Sequence, residues 1–163
     1  MARVQLYLPD NDRQVFLEAN GSKLSLTYLR LSVMARIGPR QIVRDGLIDT
    51  GTAFTIFPDA LWQRFEDSIE WFHPTPGESI PYWWTSATGI TGDAFPCRIG
   101  RVSVTVFDQK RNEIRGIPVV GKFLEDRGKL RERVLFGLSH GILQSCKLHL
   151  DIDKREAWLQ ERG

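Results

Sequence analysis

The residue types in this chain that could do chemistry are concentrated in the string Asp49-Thr50-Gly51. The string follows directly on the apolar pair Leu47 and Ile48, and another apolar run begins at residue 53. Aspartate and glycine are typical of surface turns, because aspartate bonds to nearby backbone and glycine adopts unusual backbone angles. A surface turn seldom joins two segments of buried character, so the carboxylate of Asp49 requires a specific explanation.

Three interpretations of this string compete. The simplest is a β-turn in which the aspartate caps its own backbone. A second is the phosphorylated aspartate of ion-pumping ATPases, which lies in an Asp-Lys-Thr-Gly-Thr string; this chain lacks the lysine, and its 163 residues are too few for such a machine. The third is a catalytic aspartate that works with a second carboxyl group, one ionised as a base and one protonated as an acid.

Two further segments favour the third interpretation. The string LIDTGT, residues 47–52, resembles the apolar-apolar-Asp-Thr/Ser-Gly signature of aspartic proteases. The string RVLFGLSHGIL, residues 133–143, resembles the apolar-apolar-Gly strand and short helix that the same family places late in the domain. Between them lies TSATGITGDAF, residues 85–95, where the family has its flap hairpin. The resemblance extends over most of the chain, from about Leu29 to Trp158.

The chain carries a single Asp-Thr-Gly string, whereas pepsin-like enzymes hold two such strings in a longer chain. It therefore resembles the retropepsin-like aspartic proteases, single-domain proteins that complete their site by homodimerisation. Two like charges held close together cannot both ionise, so a symmetric pair of Asp49 residues would share one proton and supply both base and acid. We therefore expect an aspartic endopeptidase that hydrolyses extended peptides with a water held between two copies of Asp49.

The resemblance implies roles for the residues that match the family pattern. Asp49 would be the catalytic carboxylate, Thr50 would hydrogen-bond across the dimer axis, and Gly51 would let the backbone turn and offer its N–H. The expected support behind the active loop is formed by Leu135, Phe136 and Gly137. The expected substrate-binding residues are Thr52, Trp84 and the flap-tip residues Gly89, Ile90, Thr91 and Gly92. No metal and no organic cofactor is expected.

Some positions depart from the family pattern. Many retropepsin-like enzymes carry Asp four residues after the catalytic one and Arg directly after the late glycine, an ion pair that braces the dimer. Here those positions hold Ala53 and Leu138. Replacing both partners by apolar groups is often energetically neutral, but it leaves open how the dimer is braced. The charged end LQERG also differs from the apolar terminal strands with which retroviral enzymes interleave, so the dimer sheet could be built differently.

Other classes of function remain open. The domain could keep the protease fold as a dimeric peptide-binding or scaffolding module with little turnover, or it could be a monomeric β-barrel that binds a small ligand. The aromatic group Tyr82, Trp83 and Trp84 could line a cleft or fill the core below the proposed flap. Because neighbours in a strand face opposite ways, only one of the two tryptophans can point into a cleft.

The elements that must position these residues are mostly β-strands. Short β-rich runs fill the chain, with hairpin turns predicted at Gly38-Pro39 and Lys154-Arg155. One helix is predicted to begin at Pro58, which suits a first helical turn, and Ser139 is a plausible N-cap for a second, short helix. The apolar face of the first helix consists of Leu61, Trp62, Phe65 and Ile69. The predicted fold is all-β, a retropepsin-like acid protease barrel with one or two short helices, in one domain over residues 1–163.

Composition limits the partners and the location. A hydrophobic fraction of 42% and a charged fraction of 26% are globular values, and a net charge of +2 is too mild to indicate a nucleic-acid partner. No segment approaches the roughly 20 apolar residues of a membrane span, and no signal peptide is recognisable, so a cytoplasmic location is expected. Cys97 and Cys146 are expected to be small buried residues, since Cys146 and His149 form only half of a zinc-ligand pattern.

Overall fold

The fold is described from a computed structural model, which covers residues 1–8, 14–27, 30–79, 86–88, 94–125 and 133–163. Its strands in chain order are β1 (Arg3–Gln5), β2 (Gln14–Ala19), β3 (Ser22–Thr27), β4 (Ser32–Ile37), β5 (Gln41–Ile48), β6 (Thr55–Phe57), β7 (Glu70–Trp71), β8 (Ser86–Thr88), β9 (Ala94–Phe107), β10 (Glu113–Leu124), β11 (Leu135–Phe136), β12 (Cys146–Asp151) and β13 (Glu156–Glu161). Its helices are α1 (Asp59–Trp62), a 3-10 helix at Gln63–Ser68, and α2 (Ile142–Ser145).

Six of these strands close into a barrel, which confirms the all-β prediction. Their order around the ring is β10-β6-β11-β5-β4-β9, and β9 pairs with β10 to complete it. The long strands show why the interior of the ring is apolar: in β9, Val102, Val104 and Val106 are buried while the adjacent Arg101 and Ser103 are exposed. This period of two directs alternate side chains to the core and to solvent.

The helical segment after β6 closes one side of this core. The predicted apolar face is confirmed, because Leu61, Trp62, Phe65 and Ile69 are all buried. The Trp62 indole N–H donates to the Leu124 carbonyl at 2.7 Å, which ties α1 to the end of β10.

The predicted helix boundaries need two corrections. Pro58 lies one residue before α1, with extended backbone angles of φ −63° and ψ 149°, rather than in its first turn. Regular α-helix then ends at Trp62, because Phe65 departs from helical angles and the remainder is a kinked 3-10 segment. At this kink the ring of Phe65 packs edge-on against Phe57 in the core.

The prediction of Ser139 as an N-cap is wrong. Helix α2 begins at Ile142 after Gly141, which makes no side-chain cap hydrogen bond. The Ser139 N–H donates instead to the Ala53 carbonyl at 2.7 Å, so this residue belongs to the loop that precedes the helix. The end of that loop is held by the Gln144 side chain, whose Oε1 accepts from the His140 N–H at 2.8 Å.

A second sheet joins both ends of the chain in the order β1-β13-β12. The hairpin of β12 and β13 turns at residues 152–155, as predicted, with Arg155 at a positive φ of 53°. The two predicted buried cysteines are also confirmed, and burial raises the pKa of the Cys97 and Cys146 thiols to about 11. In the part of the chain that the structure describes, no helix is long and apolar enough to cross a membrane.

Asp108 anchors the terminal sheet to the barrel. Its side chain lies at the turn between β9 and β10 with only 7% exposure. Oδ2 accepts from the Gln5 N–H at 3.1 Å and from the Asn112 side chain at 2.9 Å, and Oδ1 accepts from the backbone N–H groups of Lys110 and Asn112. Burial alone would raise the pKa of Asp108, but these hydrogen bonds outweigh it and hold the pKa below the ordinary value of 3.8.

We expect Asp108→Ala to lower the free energy of unfolding by about 2 kcal/mol at neutral pH, because several donors lose their acceptor. A carboxyl with a lowered pKa stabilises the fold fully above its ordinary pKa of 3.8 and loses that contribution as the pH falls further. The difference between wild type and variant should therefore shrink in acid. Urea unfolding from neutral to low pH measures it, with the exposed Asp153→Ala as control; a pH-independent difference would contradict the assignment.

Candidate active site

Asp49 lies at the point where β5 ends and a strand from late in the chain meets it. Strand β11 runs parallel to β5, with Leu135 beside Leu47 and Phe136 beside Ile48. The Asp49 N–H then donates to the Phe136 carbonyl at 2.9 Å. The position of Asp49 is therefore set by β11 as well as by its own strand.

The chain that leaves Asp49 returns on the other side of β11. Strand β6 pairs antiparallel with β11 through Ile56 and Leu135, so β11 lies between the strands that enter and leave the Asp-Thr-Gly turn. An ordinary hairpin turn would join two strands that pair with each other. Here the inserted strand keeps β5 and β6 apart, and the intervening loop presents Asp49 at a partly buried position.

The Asp49 carboxylate is oriented by two donors from its own loop. Oδ1 accepts from the Gly51 N–H at 2.9 Å, and Oδ2 accepts from the Thr52 hydroxyl at 2.7 Å. A carboxylate oxygen has two lone pairs, so each oxygen keeps acceptor capacity for a water or for a second carboxyl. The group is thus fixed in orientation while it remains able to share a proton.

The neighbours of Asp49 along the chain differ in their surroundings. Thr50 and Gly51 are exposed, and a Cβ built on Gly51 would lie 3.3 Å from Asp49 Oδ1. Thr52, expected from the resemblance on the substrate side, directs its hydroxyl at Asp49 Oδ2. Its contact within the chain is therefore with the carboxylate itself.

Residues 137–139 hold the other side of the loop. The Leu138 N–H donates to the Thr52 carbonyl at 2.9 Å, in line with the bond from Ser139 to Ala53. A Cβ built on Gly137 would lie 2.5 Å from the backbone carbonyl of Phe54 and 2.7 Å from the Thr52 oxygen. Only a residue without a side chain lets the loop lie this close.

The other two residues of the predicted support also contact this region. Phe136 is fully buried, and a Cβ on Gly46 would lie 2.5 Å from its ring, so the ring packs closely against β5. Leu135 is half-buried between its partners in β5 and β6. The structure therefore brings Leu135, Phe136 and Gly137 together with the Asp49 loop.

The two extended arms that flank the predicted flap tip pair with each other. Strand β8 pairs antiparallel with the start of β9, with Thr88 opposite Ala94 and Ser86 opposite Pro96. The tip residues Gly89, Ile90, Thr91 and Gly92 lie outside the described residues, and so do Tyr82, Trp83 and Trp84. The expected contacts of these residues with substrate stay predictions.

An aromatic group beside the loop was not anticipated from the sequence. The Phe54 ring stacks on His140 with centroids 6.2 Å apart and an angle of 14°, and Lys122 Nζ lies 5.7 Å from the Phe54 centroid. His140 is exposed and adopts a positive φ of 52°. No sequence motif links these residues. His140 lies beside Phe54 because residues 138–139 bond to residues 52–53, and Lys122 lies there because β10 meets β6 in parallel.

The positions that lack the family's ion pair lie on the surface beside Asp49. Ala53 is exposed and Leu138 is 47% exposed. Their backbones belong to the paired segments that clamp the loop, so both side chains lie close to the Asp-Thr-Gly turn. This patch is apolar and open where the family usually carries charge.

Cys146 and His149 do not share a site. Cys146 is buried, whereas the His149 ring stacks on Trp158 with centroids 5.0 Å apart. Positions three apart in a strand point to opposite faces. Among the described residues, no group of three or more potential metal ligands is present.

Comparisons with protein-family models, with curated proteins and with solved structures found no match to this chain.

We expect Gly137→Ala to lower the free energy of unfolding by about 3 kcal/mol, because the new methyl group overlaps the backbone of the Asp49 loop. Gly116→Ala is the matched control: its φ of +66° strains an alanine, but nothing lies within 4 Å of the new Cβ, so about 1 kcal/mol is expected. Denaturant unfolding of both variants measures the contrast. Equal losses would show that the loop does not rest on Gly137 as closely as described.

Proposed function

We propose that this chain is an aspartic endopeptidase that is active as a homodimer. The observation that carries the proposal is the setting of Asp49. Its carboxylate lies in an Asp-Thr-Gly turn whose flanking strands, β5 and β6, are separated by β11, and it is oriented by the Gly51 N–H and the Thr52 hydroxyl. The resemblance to retropepsin-like proteases supports it, since the Asp-Thr-Gly turn, the hairpin arms and the late apolar-apolar-Gly strand occur in the family's order. The closed all-β barrel is compatible with that fold.

The chemistry explains why a second copy is needed. Peptide hydrolysis by carboxyl groups requires one ionised group to take a proton from water and one protonated group to polarise the carbonyl. The described part of a single chain offers one such carboxyl, Asp49, at this site. Two Asp49 carboxyls brought together share one proton, because like charges held close cannot both ionise.

The proposed reaction uses this shared proton in sequence. The ionised Asp49 removes a proton from the water as its oxygen attacks the peptide carbonyl, while the protonated Asp49 donates to the carbonyl oxygen. The tetrahedral gem-diol then breaks its C–N bond: the departing nitrogen takes the proton that the first Asp49 removed from water, and one diol hydroxyl returns its proton to the other Asp49 as the C=O bond re-forms. The dyad again holds one proton. The Gly51 and Thr52 donors keep both carboxylates in place through this cycle, so little reorganisation is required.

The substrate is proposed to be an extended peptide bound between the Asp49 loops and the β8–β9 hairpins. A hairpin that closes over the peptide would exclude bulk water from the dyad. Gly89, Ile90, Thr91 and Gly92 are the proposed tip residues, with Trp84 on the substrate side. No metal or organic cofactor takes part in the proposed reaction.

A second function is favoured by a specific observation. Ala53 and Leu138 replace the ion pair that usually braces the dimer, so the two Asp49 loops could be held less rigidly than catalysis requires. The domain would then act as a dimeric peptide-binding or scaffolding module. Measurable peptide binding with no hydrolysis from acidic to neutral pH would favour this function over proteolysis.

Asp49→Asn should reduce cleavage of an unstructured protein substrate by about a thousandfold or more, because the dyad loses its ionisable group. The matched control is Asp45→Asn, since Asp45 lies on the same strand but is exposed and pairs with Arg133 at 2.8 Å. We expect the control to cleave normally and both variants to keep their fold and dimer. Unchanged cleavage by Asp49→Asn would disprove the proposed mechanism.

Mixing wild type with Asp49→Asn chains tests whether the site is shared. If each active site needs both carboxyls, random pairing in an equal mixture leaves about one quarter of the dimers active. If each chain works alone, activity falls only to about one half. Cleavage rates measured at fixed total protein after exchange of subunits, over a series of mixing ratios, separate a quadratic from a linear dependence on the wild-type fraction.

A further inference from the structure

The terminal sheet has two outer edges, β12 and β1, and at β1 the Gln5 N–H donates to the Asp108 carboxylate and Tyr7 forms a bridge with Ser32. Strand β13 is central, with β1 on one side and β12 on the other. The N-terminal and C-terminal strands therefore pair within one chain, through Val4 and Leu159, and are not free to interleave with a second copy. Among the described residues, no strand pairs with the outer edge of β12. An open edge is a template for pairing with another chain.

The hydrogen bonds of the sheet identify the backbone groups on that edge. The Leu6 N–H donates to the Ala157 carbonyl and the Glu161 N–H to the Ala2 carbonyl, so the odd-numbered residues of β13 face β1. The even-numbered residues of β13 consequently face β12. Their partners in β12 are Lys147, His149 and Asp151.

The remaining residues of β12 direct their backbone groups outward. Because hydrogen bonding alternates along an antiparallel strand, the N–H and C=O groups of Leu148 and Leu150 face the open edge. The bond from the Arg162 N–H to the Ser145 carbonyl continues the same alternation on the inner side. A second strand on this edge must therefore hydrogen-bond to Leu148 and Leu150.

The charges along β12 select how a second copy would pair. A two-fold axis at His149 places Leu148 of one copy opposite Leu150 of the other, so the outward backbone groups of the two strands meet. Every residue from Lys147 to Asp151 then has a partner in the second copy. In this register Lys147 of each copy lies opposite Asp151 of the other, and opposite charges across strands attract. An axis at Leu148 would instead place Lys147 opposite His149 and lose the ion pairs.

Two further features of the edge fit this register. Leu150, within the paired segment, is a large apolar side chain that is 44% exposed, and a second strand would lie beside it. The Asp151 carboxylate already contacts Lys154 at 3.0 Å, an exposed ion pair that holds it near the edge.

The position of β12 relates this edge to the proposed active site. Leu138 and Ser139 clamp the Asp49 loop, and β12 begins one short helix later, directly after α2. An axis through β12 would thus relate two loops that are each closely tethered to it. The inference rests on the proposed function in this respect, since only a dimer would bring two Asp49 residues together.

We propose that two copies of this chain pair through the outer edges of β12, antiparallel about a two-fold axis at His149. The two terminal sheets become one continuous sheet, in the order β1-β13-β12 and then β12-β13-β1 of the second copy. Flanking ion pairs between Lys147 and Asp151 replace the bracing ion pair that this chain lacks. The charged end LQERG is compatible with this arrangement because β13 is covered within its own chain.

Charge reversal tests the ion pairs. Lys147→Asp and Asp151→Lys should each raise the dimer dissociation constant about tenfold or more at low salt, because like charges then face each other twice. An equal mixture of the two variants should dimerise as wild type does, since every opposed pair is again Lys with Asp. Lys110→Asp and Asp67→Lys make the same changes at exposed positions outside the terminal sheet and should leave the constant unchanged. Sedimentation equilibrium measures these five samples and the wild type.

A disulfide tests the register. Residues directly opposite each other in a non-hydrogen-bonded pair have Cβ atoms roughly 4.5–5.5 Å apart, within reach of a disulfide. His149→Cys should therefore form a covalent dimer on mild oxidation, whereas Lys147→Cys, opposite Asp151, should not. Cross-linking of both variants to the same extent, or of neither, would overturn the register.

The outcomes separate this inference from the proposed function. A wild-type protein that cleaves peptides as a dimer, with a dissociation constant unaffected by both reversals, would overturn the β12 interface and leave the protease proposal standing. A dimer that responds as expected but never cleaves peptides would support the interface and overturn the protease. A wild type that stays monomeric at all concentrations would overturn both.

Discussion

The structure around Asp49 depends on the insertion of β11 between β5 and β6. Strand β11 has only two residues, but it pairs with β5 on one side and β6 on the other, and its carbonyl at Phe136 accepts the Asp49 N–H. The insertion joins a segment near residue 136 to one near residue 49, so the barrel closes only when the late part of the chain has docked. The same contact that completes the ring sets the carboxylate, which couples fold and site.

The orientation of the carboxylate follows from this constraint. Once the loop is held between β5 and β6, the Gly51 N–H and the Thr52 hydroxyl come within hydrogen-bond distance of separate oxygens. The carboxylate is then held in a fixed position by two uncharged donors, which do not neutralise its charge. A single group so placed is of limited use for peptide hydrolysis, because acid and base are both needed; this is the physical reason to propose a symmetric pair.

The sequence predicted the local features of this arrangement better than the long-range ones. The buried face of α1 at Leu61 and Trp62 was predicted because it depends on spacing within one segment. The predicted N-cap at Ser139 was wrong, since Ala53 from a distant loop accepts the Ser139 N–H and Gln144 of α2 accepts the His140 N–H, so the helix begins only after Gly141. The pairing of β9 with β10 that closes the barrel and the contact of Phe54 with His140 could not be predicted, because each depends on two segments whose relative position no local pattern encodes. The Asp-Thr-Gly string predicted where to look, but not that β11 would divide its flanking strands.

The terminal sheet connects the single chain to the proposed assembly. With β13 enclosed by β1 and β12, the described part of the chain leaves the outer edge of β12 without a partner strand, and a symmetric copy can extend the sheet there. Strand β12 follows α2, the short helix after the segment that clamps the Asp49 loop. The central claim is that two such loops meet. A crystal structure of the protein would measure the separation of the two Asp49 carboxylates directly: the account predicts roughly 3 Å across a two-fold axis, the distance of a dyad that shares one proton. Carboxylates too far apart for one water to bridge, or each covered by its own chain, would contradict it.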